Sequence, residues 1–272
     1  MVAPQDEEPS KLSPVSDGFR EIPTIVVGGT PVHLVDEAGA LHIVDQTSRS
    51  SRPIAVASIN LDHIHHFPRN DLQASGSAID WLNLIDGAPI AKQVKRVTGD
   101  AFPKLSGSDL IGPILDILAR QQKRIAIVGG SPELAETLED RFAADWPTLT
   151  YLGQWAPARE VLESPDGSNE VARELRDLQV DVVLVCLGKP RQEQWINRYG
   201  EQTGATVLLA FGAVVDFLAG SVSRAPAWIS NSGFEWAWRL LLEPRRLAKR
   251  YLVQGPPAYI RVRRSSELGT SA

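Results

Sequence analysis

The chain has 272 residues, a net charge of −5 and an isoelectric point near 5.6. That length is enough for one large domain or two small ones with a sizeable core, and the acidic balance argues against a protein that coats nucleic acid by bulk electrostatics. Its one cysteine, Cys186, lies inside an apolar run, which excludes a disulfide framework and a thiolate metal cluster.

Residues Met1 to Ser16 are acidic and proline-rich, the composition of a disordered tail, and residues 1–20 are expected to stand outside the folded unit. No basic-then-apolar segment of signal-peptide type is read in this stretch, and a cytoplasmic location is expected. Thr24 to Val27 predicts a short strand and Gly28-Gly29 a turn. Asp36 is a plausible N-cap for a helix through Gln46. The first strong core strand, Pro53 to Ser58, delivers Ser58 and Asn60 to its carboxyl end. His63, His65 and His66 follow. Neutral imidazole is a common metal ligand, but only Asp62 accompanies them, so the alternatives are a metal site and residues that line a helix start or a pocket wall.

Trp81 to Ile85 is a second apolar strand, ending at Asp86-Gly87. Such a pair is either a turn or a carboxylate held out over a site. Helices are predicted from Ile90 to Val97 and from Ser108 or Asp109, either able to cap, to Gln122. Arg124 to Val128 then reads as a buried strand running into Gly129-Gly130-Ser131-Pro132-Glu133. There Ser131 can cap a helix and Pro132 suits its first turn, which would offer backbone N–H groups to an anion such as a diphosphate. No Gly-x-Gly-x-x-Gly and no Walker lysine occur, so neither a dinucleotide fingerprint nor a P-loop is supported.

A helix from Glu133 to Ala144, a strand from Leu149 to Gly153, a polar loop over Ser164 to Ser168 and a helix from Glu170 to Leu178 come next. Val182, Val183, Leu184, Val185 and Leu187 suit a strand covered on both faces, stopped by Gly188 and Pro190. Ligands in open α/β sheets bind beyond the carboxyl ends of the strands, so Lys189, Arg191, Gln192 and Glu193 either flank a site or form an ordinary strand-to-helix loop. A helix from Arg191 to Thr203, a strand from Thr206 to Phe211 and the segment Gly212 to Gly220 with Asp216 complete the pattern. The longest apolar stretch, Ala205 to Ala219, is too short to span a bilayer. This alternation predicts an α/β protein with a largely parallel sheet.

From Phe234 the character changes. Trp236, Trp238, Leu240, Leu247 and Tyr251 are interleaved with Arg239, Arg245, Arg246, Lys249 and Arg250, and Glu243-Pro244 is expected to divide the segment into two helices. A basic, aromatic-rich helix pair reads as a membrane-surface or partner-binding element; the alternative is a closing helix with solvated arginines.

The chain resembles the WecG/TagA/CpsF glycosyltransferases over Ile54 to Leu252. The most specific segments are Gly233-Phe234-Glu235-Trp236 running through Arg239-Leu240, Glu243-Pro244 and Arg246 to Arg250-Tyr251, and Gly188-Lys189-Pro190-Arg191-Gln192-Glu193-Gln194-Trp195. Asp216-Phe217-Leu218-Ala219-Gly220 with Arg224-Ala225-Pro226, and Asp86-Gly87 followed by Gly107-Ser108-Asp109-Leu110, complete the set. The resemblance implies a Rossmann-like, largely parallel sheet flanked by helices (GT-E type), here spanning residues 21–232. It further implies a C-terminal helical, membrane-proximal appendage over 233–262 and a disordered tail over 263–272.

The same resemblance makes Asp86 the candidate catalytic base. Substrate-binding candidates are Ser58, Asn60, Lys104, Gly107, Asp109, Gly129, Gly130, Ser131, Gln192, Glu193 and Asp216, with Gln192 and Glu193 near the donor sugar. Ser58 replaces the family's threonine, Pro89 stands where glycine is usual, and Lys104 stands where many members have arginine, losing the bidentate fork. The implied reaction is an inverting transfer of a hexose-derived sugar, of N-acetylmannosamine type or its uronic acid, from a UDP-sugar to a polyprenyl-diphosphate-linked acceptor in cell-envelope polysaccharide synthesis. The enzyme would work peripherally at the inner membrane face, with oligomeric state open and no nucleic-acid partner. No cofactor or metal is expected, since no Asp-x-Asp occurs, and backbone amides at Gly129 to Ser131 with Arg239, Arg245, Arg246 and Arg250 would neutralise the leaving UDP. The alternative is a non-catalytic nucleotide-sugar-binding or membrane scaffold protein of the same fold, favoured by Pro89 and Lys104. An NAD-dependent oxidoreductase lacks its glycine fingerprint.

Overall fold

The computed structural model describes residues 22–49, 52–68, 79–221, 240–241 and 244–268. In chain order these form β1 (Thr24–Val27), β2 (Thr30–His33), α1 (Glu37–Thr47), β3 (Ile54–Ile59), α2 (Leu61–His66), β4 (Asp80–Ile85), α3 (Ala88–Thr98), α4 (Gly107–Arg120), β5 (Arg124–Gly129) and α5 (Ala135–Asp145). They continue through β6 (Thr150–Trp155), α6 (Arg159–Glu163), α7 (Pro165–Asp177), β7 (Val182–Cys186), α8 (Arg191–Tyr199), β8 (Val207–Ala210) and α9 (Val214–Leu218). The C-terminal part holds α10 (Pro244–Ala248), a π-helical stretch (Lys249–Gln254), α11 (Gly255–Arg264) and β9 (Ser266–Leu268).

The central sheet has six parallel strands in the order β4-β3-β8-β7-β5-β6. The apolar inner strands suit such a sheet. Every residue of β3, β7 and β8 is buried, as a strand covered on both faces requires. One face packs Val56, Leu82, Ile127, Leu184 and Leu209 against α4 and its neighbours; the other packs Ala57, Trp81, Val128, Val183 and Leu208 against Ile90, Trp195 and Ile196. Cys186 belongs to this core: it is buried, its Sγ lies 3.5 Å from the Phe211 carbonyl, and burial pushes the thiol pKa up. The fold is thus the expected Rossmann-like α/β sheet flanked by helices.

Four local features differ from expectation. Ser106, not Ser108 or Asp109, caps α4: its Oγ accepts from the Asp109 N–H at 3.2 Å and donates to Asp109 Oδ2 at 2.6 Å, so the cap hydroxyl is held by the same residue whose amide it satisfies. Residues 164–168 are not a loop, because Ser164 accepts from the Gly167 N–H and Pro165 fits the first turn, starting α7 there. Pro132 begins only a 3₁₀ turn (Pro132–Leu134), with α5 starting at Ala135, and the Ser131 side chain makes no capping bond.

The fourth difference is at the C-terminus. Residues 263–268 are ordered: α11 runs to Arg264, and β9 pairs antiparallel with β1, matching Val27 to Ser266 and Ile25 to Leu268. Otherwise the β1–β2 hairpin would present a free edge over Ile25 and Val27, both fully buried. Covering that edge and burying Ala258 and Val262 of α11 order the segment. The tail expected over residues 1–20 lies outside the described residues.

Candidate active site

The parallel arrangement sends the carboxyl ends of β3, β4, β5, β7 and β8 to one edge of the sheet, and the candidate residues hang from those ends. β3 delivers Ser58, whose Oγ donates to the Leu105 carbonyl at 3.3 Å, and then Asn60. β4 delivers Asp86, whose N–H donates to the Ile59 carbonyl at 3.0 Å. Of the two readings of Asp86-Gly87, the structure has a positive-φ Gly87 (φ 80°) that turns the chain into α3 and leaves the carboxylate at the strand end. Pro89 fits the first turn of α3, where its missing N–H would have had no helical partner.

Asn60 has two roles. Its Oδ1 accepts from the His63 N–H at 3.2 Å and caps α2, while its Nδ2 donates to Asp86 Oδ2 at 2.9 Å. Both bonds fix the amide orientation, because only the oxygen can accept from a backbone N–H and only the nitrogen can donate to a carboxylate. Burial pushes the Asp86 carboxyl above the ordinary aspartate range. The Asn60 bond and the positive charges of Lys189 and Arg250 pull it down, and Asp109 adds a smaller upward push.

Beyond β7, Gly188 (φ 72°) turns the chain and a cis Lys189–Pro190 peptide leads into α8. Gln192 and Glu193 are buried, facing inward rather than open solvent. Gln192 Nε2 donates to the Ala210 carbonyl at 2.7 Å and to Glu193 Oε1 at 3.2 Å, bridging β8 to α8. Lys189 Nζ donates to Glu193 Oε1 at 2.7 Å and to the Ser58 carbonyl at 3.1 Å, and lies 3.4 Å from His63 Nδ1. His63 is fully buried, and desolvation, Lys189 and His66 together hold its pKa well below the usual imidazole value. It is therefore neutral beside the ammonium, accepting at Nδ1. The histidine run is thus a helix face with one buried member; among the described residues no group of three or more His, Cys, Asp or Glu side chains is placed to hold a metal.

The other candidates line the same edge. Gly107 opens α4 against Phe211; a Cβ there would come within 2.6 Å of the ring, so the close approach needs glycine. Asp109 is exposed and engaged with Ser106, and Lys104 is exposed in the preceding loop. Gly129 and Gly130 both adopt positive φ, and Gln154 Nε2 pins the loop through the Gly129 and Ser131 carbonyls at 2.8 and 3.1 Å. Gly130 packs on Val215 of α9, and Asp216 is the next residue of that helix.

In the C-terminal segment, Arg250 lies against α2, with Nε 3.5 Å from Asp62 Oδ2, and Arg261 donates to the Ile64 carbonyl at 3.0 Å. Arg245 is exposed. Arg239 and the Arg246 side chain lie outside the described residues. The structure therefore gathers Ser58, Asn60, Asp86, Gln192, Glu193 and Arg250 at one end of the sheet, with Gly107, Asp109 and the Gly129 to Ser131 loop on the same edge. Lys189, placed by the sequence at the strand end but given no specific contact there, is the residue whose part the structure adds, and its four-residue spacing from Glu193 on a helix start was a usable signal.

Residues 25–270 match the family described as glycosyl transferase WecG/TagA/CpsF. Three similar proteins are each called N-acetylglucosaminyldiphosphoundecaprenol N-acetyl-beta-D-mannosaminyltransferase. The Bacillus subtilis protein is 25% identical over 60% of this chain and 61% of its own length. The Bacillus spizizenii protein is 30% identical over 62% and 63%, and that of Staphylococcus aureus 23% identical over 60% and 62%. The similarity thus spans about three fifths of the length of these relatives. With the family matched across nearly the whole chain, this protein belongs to the glycosyl transferase WecG/TagA/CpsF family.

Proposed function

We propose that the protein is a hexosyltransferase that moves a hexose-derived sugar, of N-acetylmannosamine type or its uronic acid, from a UDP-sugar to a polyprenyl-diphosphate-linked saccharide, with inversion at the anomeric carbon. One observation carries this reading: a carboxylate, Asp86, stands at the carboxyl edge of a parallel sheet, raised in pKa by burial and oriented by Asn60. A carboxyl so tuned is suited to take the proton of the acceptor hydroxyl as it attacks the anomeric carbon. The names of the relatives support a lipid-diphosphate-linked acceptor.

The leaving UDP needs its charge neutralised. With no Asp-x-Asp in the chain, the reading assigns this to the loop over Gly129 to Ser131, where the Gly130 N–H would have to exchange the Cys186 carbonyl for the phosphate, and to cations of the C-terminal segment, Arg250 among them. Gln192, Glu193 and Ser58 would shape the donor-sugar pocket.

A surface role at the membrane is part of the same reading. Leu252, Val253, Tyr259 and Ile260 are exposed on the C-terminal segment beside Lys249, Arg263 and Arg264, the mixture that favours an anionic interface. Among the described residues no helix is long and apolar enough to cross a membrane. The non-catalytic alternative loses one of its supports, since Pro89 sits in a first helical turn at no hydrogen-bonding cost. The test is incubation of purified protein with a panel of UDP-sugars and an N-acetylglucosaminyl polyprenyl-diphosphate acceptor. Transfer of one donor sugar with release of UDP is expected; failure of every donor in the presence of acceptor and anionic vesicles would overturn the reading.

A further inference from the structure

The Lys189–Glu193 pair is placed where an isolated structural ion pair would be hard to justify. The side chains are 9% and 0% exposed, and removing two charges from water is not recovered by one contact unless the remaining hydrogen-bonding capacity is used. The lysine uses all of its capacity. Its three N–H groups meet Glu193 Oε1, the Ser58 carbonyl and His63 Nδ1. Two of those partners lead directly to Asp86. Ser58 precedes Ile59, whose carbonyl receives the Asp86 N–H, and His63 gives its own N–H to the Asn60 oxygen while the Asn60 nitrogen holds the Asp86 carboxylate.

We propose that Lys189 is a positioning residue for Asp86: its buried ammonium joins the β7–α8 turn to the end of β3 and the start of α2, and supplies a fixed positive charge that favours the ionised carboxylate. This rests on the reading of Asp86 as the base, and it gives the buried pair a task that an apolar pair of similar volume could not perform.

The surrounding charges define what must be separated. Asp86 is faced by Lys189 from the β7–α8 turn, Arg250 from the π-helical stretch and Asp109 from α4, with the neutral Asn60 from α2. Lys189 is faced by Glu193 of α8 and by His63 and His66 of α2. Arg250 is the other cation that acts on Asp86, but it is 27% exposed and paired with Asp62, so dissolved salt screens it more than it screens Lys189. Removing the lysine alone would strand the Glu193 charge, so the informative change removes both charges together.

The experiment is a carboxyl ¹³C titration of the full chain labelled at aspartate, with the Asp86 signal assigned by its loss in Asp86→Asn. In Lys189→Gln/Glu193→Gln the Asp86 midpoint should move to higher pH than in the unmodified protein, by an amount that persists in high salt. In Glu193→Gln, which keeps the ammonium, it should not rise. Lys189→Met/Glu193→Gln provides a second, apolar removal of the pair should the amide version fold poorly, and is expected to give the same upward movement. A folded double variant whose Asp86 midpoint is unchanged overturns the proposal. Because the titration needs no substrate, failure of glycosyl transfer in the unmodified protein would count against the assigned reaction and leave this result readable. In a working transferase, the double variants should also lose turnover by roughly 10²-fold, the cost of a misplaced reacting group, with the acid limb of the rate profile displaced in the same direction.

Discussion

Asn60 and Asp86, 26 residues apart in sequence, meet through one hydrogen bond of 2.9 Å between adjacent parallel strand ends. Because the same amide caps α2, the orientation of the carboxylate and the start of that helix are set by one side chain. The two roles can be separated. Asn60→Ser keeps an oxygen able to cap, whereas Asn60→Ala loses the cap as well, at about 1 kcal/mol. Both lose the bond that favours ionised Asp86. Thermal denaturation should therefore show the alanine variant less stable than the serine one. The acid limb of the rate–pH profile should move to higher pH in both, and equal activity of Asn60→Ser and the unmodified protein would contradict the assignment.

Asp86 also has a stability consequence whose sign is opposite to that of a salt-bridged aspartate. Its folded-state pKa is raised, so the folded protein holds the proton more tightly than the unfolded chain. The contribution to stability is complete below the unfolded value and is lost as pH rises through the folded one. At neutral pH the ionised carboxylate is thus a cost. Asp86→Asn should raise the melting temperature near pH 7, and the gain should vanish in acid; a variant less stable than the parent at pH 7 would show that the carboxylate is stabilising there.

His33 is a second buried titrating group, remote from the chemistry. It accepts the Asn83 N–H at Nδ1 (3.1 Å), and burial, partly offset by the Asn83 carbonyl, lowers its pKa to about 4. Its folded value lies below the unfolded value of 6.5, so the unfolded chain gains the proton first and stability falls as pH drops from 6.5 towards 4. The full loss amounts to about 3 kcal/mol at one pKa unit per 1.36 kcal/mol. Urea denaturation at stepped pH should show a decline in this window that is absent from His33→Gln.

Much of the architecture was legible because the strands are apolar on both faces. Val182 to Val185 and Val207 to Ala210 could only be interior strands of a covered sheet, and the alternation with helices made that sheet parallel. Starts of elements were less legible. Ser106, Ser108 and Asp109 are all competent caps, and the helix that Ser106 caps opens with Gly107 packed against Phe211, a contact more than 100 residues away that no local pattern carries. The order of residues 263–268 was hidden for the same reason: Ser266 to Leu268 has no strand signal of its own and is held by the edge of β1. At the site, Asp86 and Asn60 could be named from sequence, but the Lys189 contacts depend on β3 and β7 flanking β8, a strand order that no local pattern encodes. His63 was ambiguous because a histidine run carries the same signal whether one ring is buried beside a lysine or three rings surround a metal.

The measurement that bears most directly on Asp86 as the base is the single-turnover rate of sugar transfer from UDP-sugar to the polyprenyl-diphosphate acceptor by Asp86→Asn, with UDP affinity determined on the same preparation. The account predicts a rate lower by about 10²- to 10⁴-fold, the worth of a general base, with UDP binding unchanged. Turnover at the unmodified rate would contradict it.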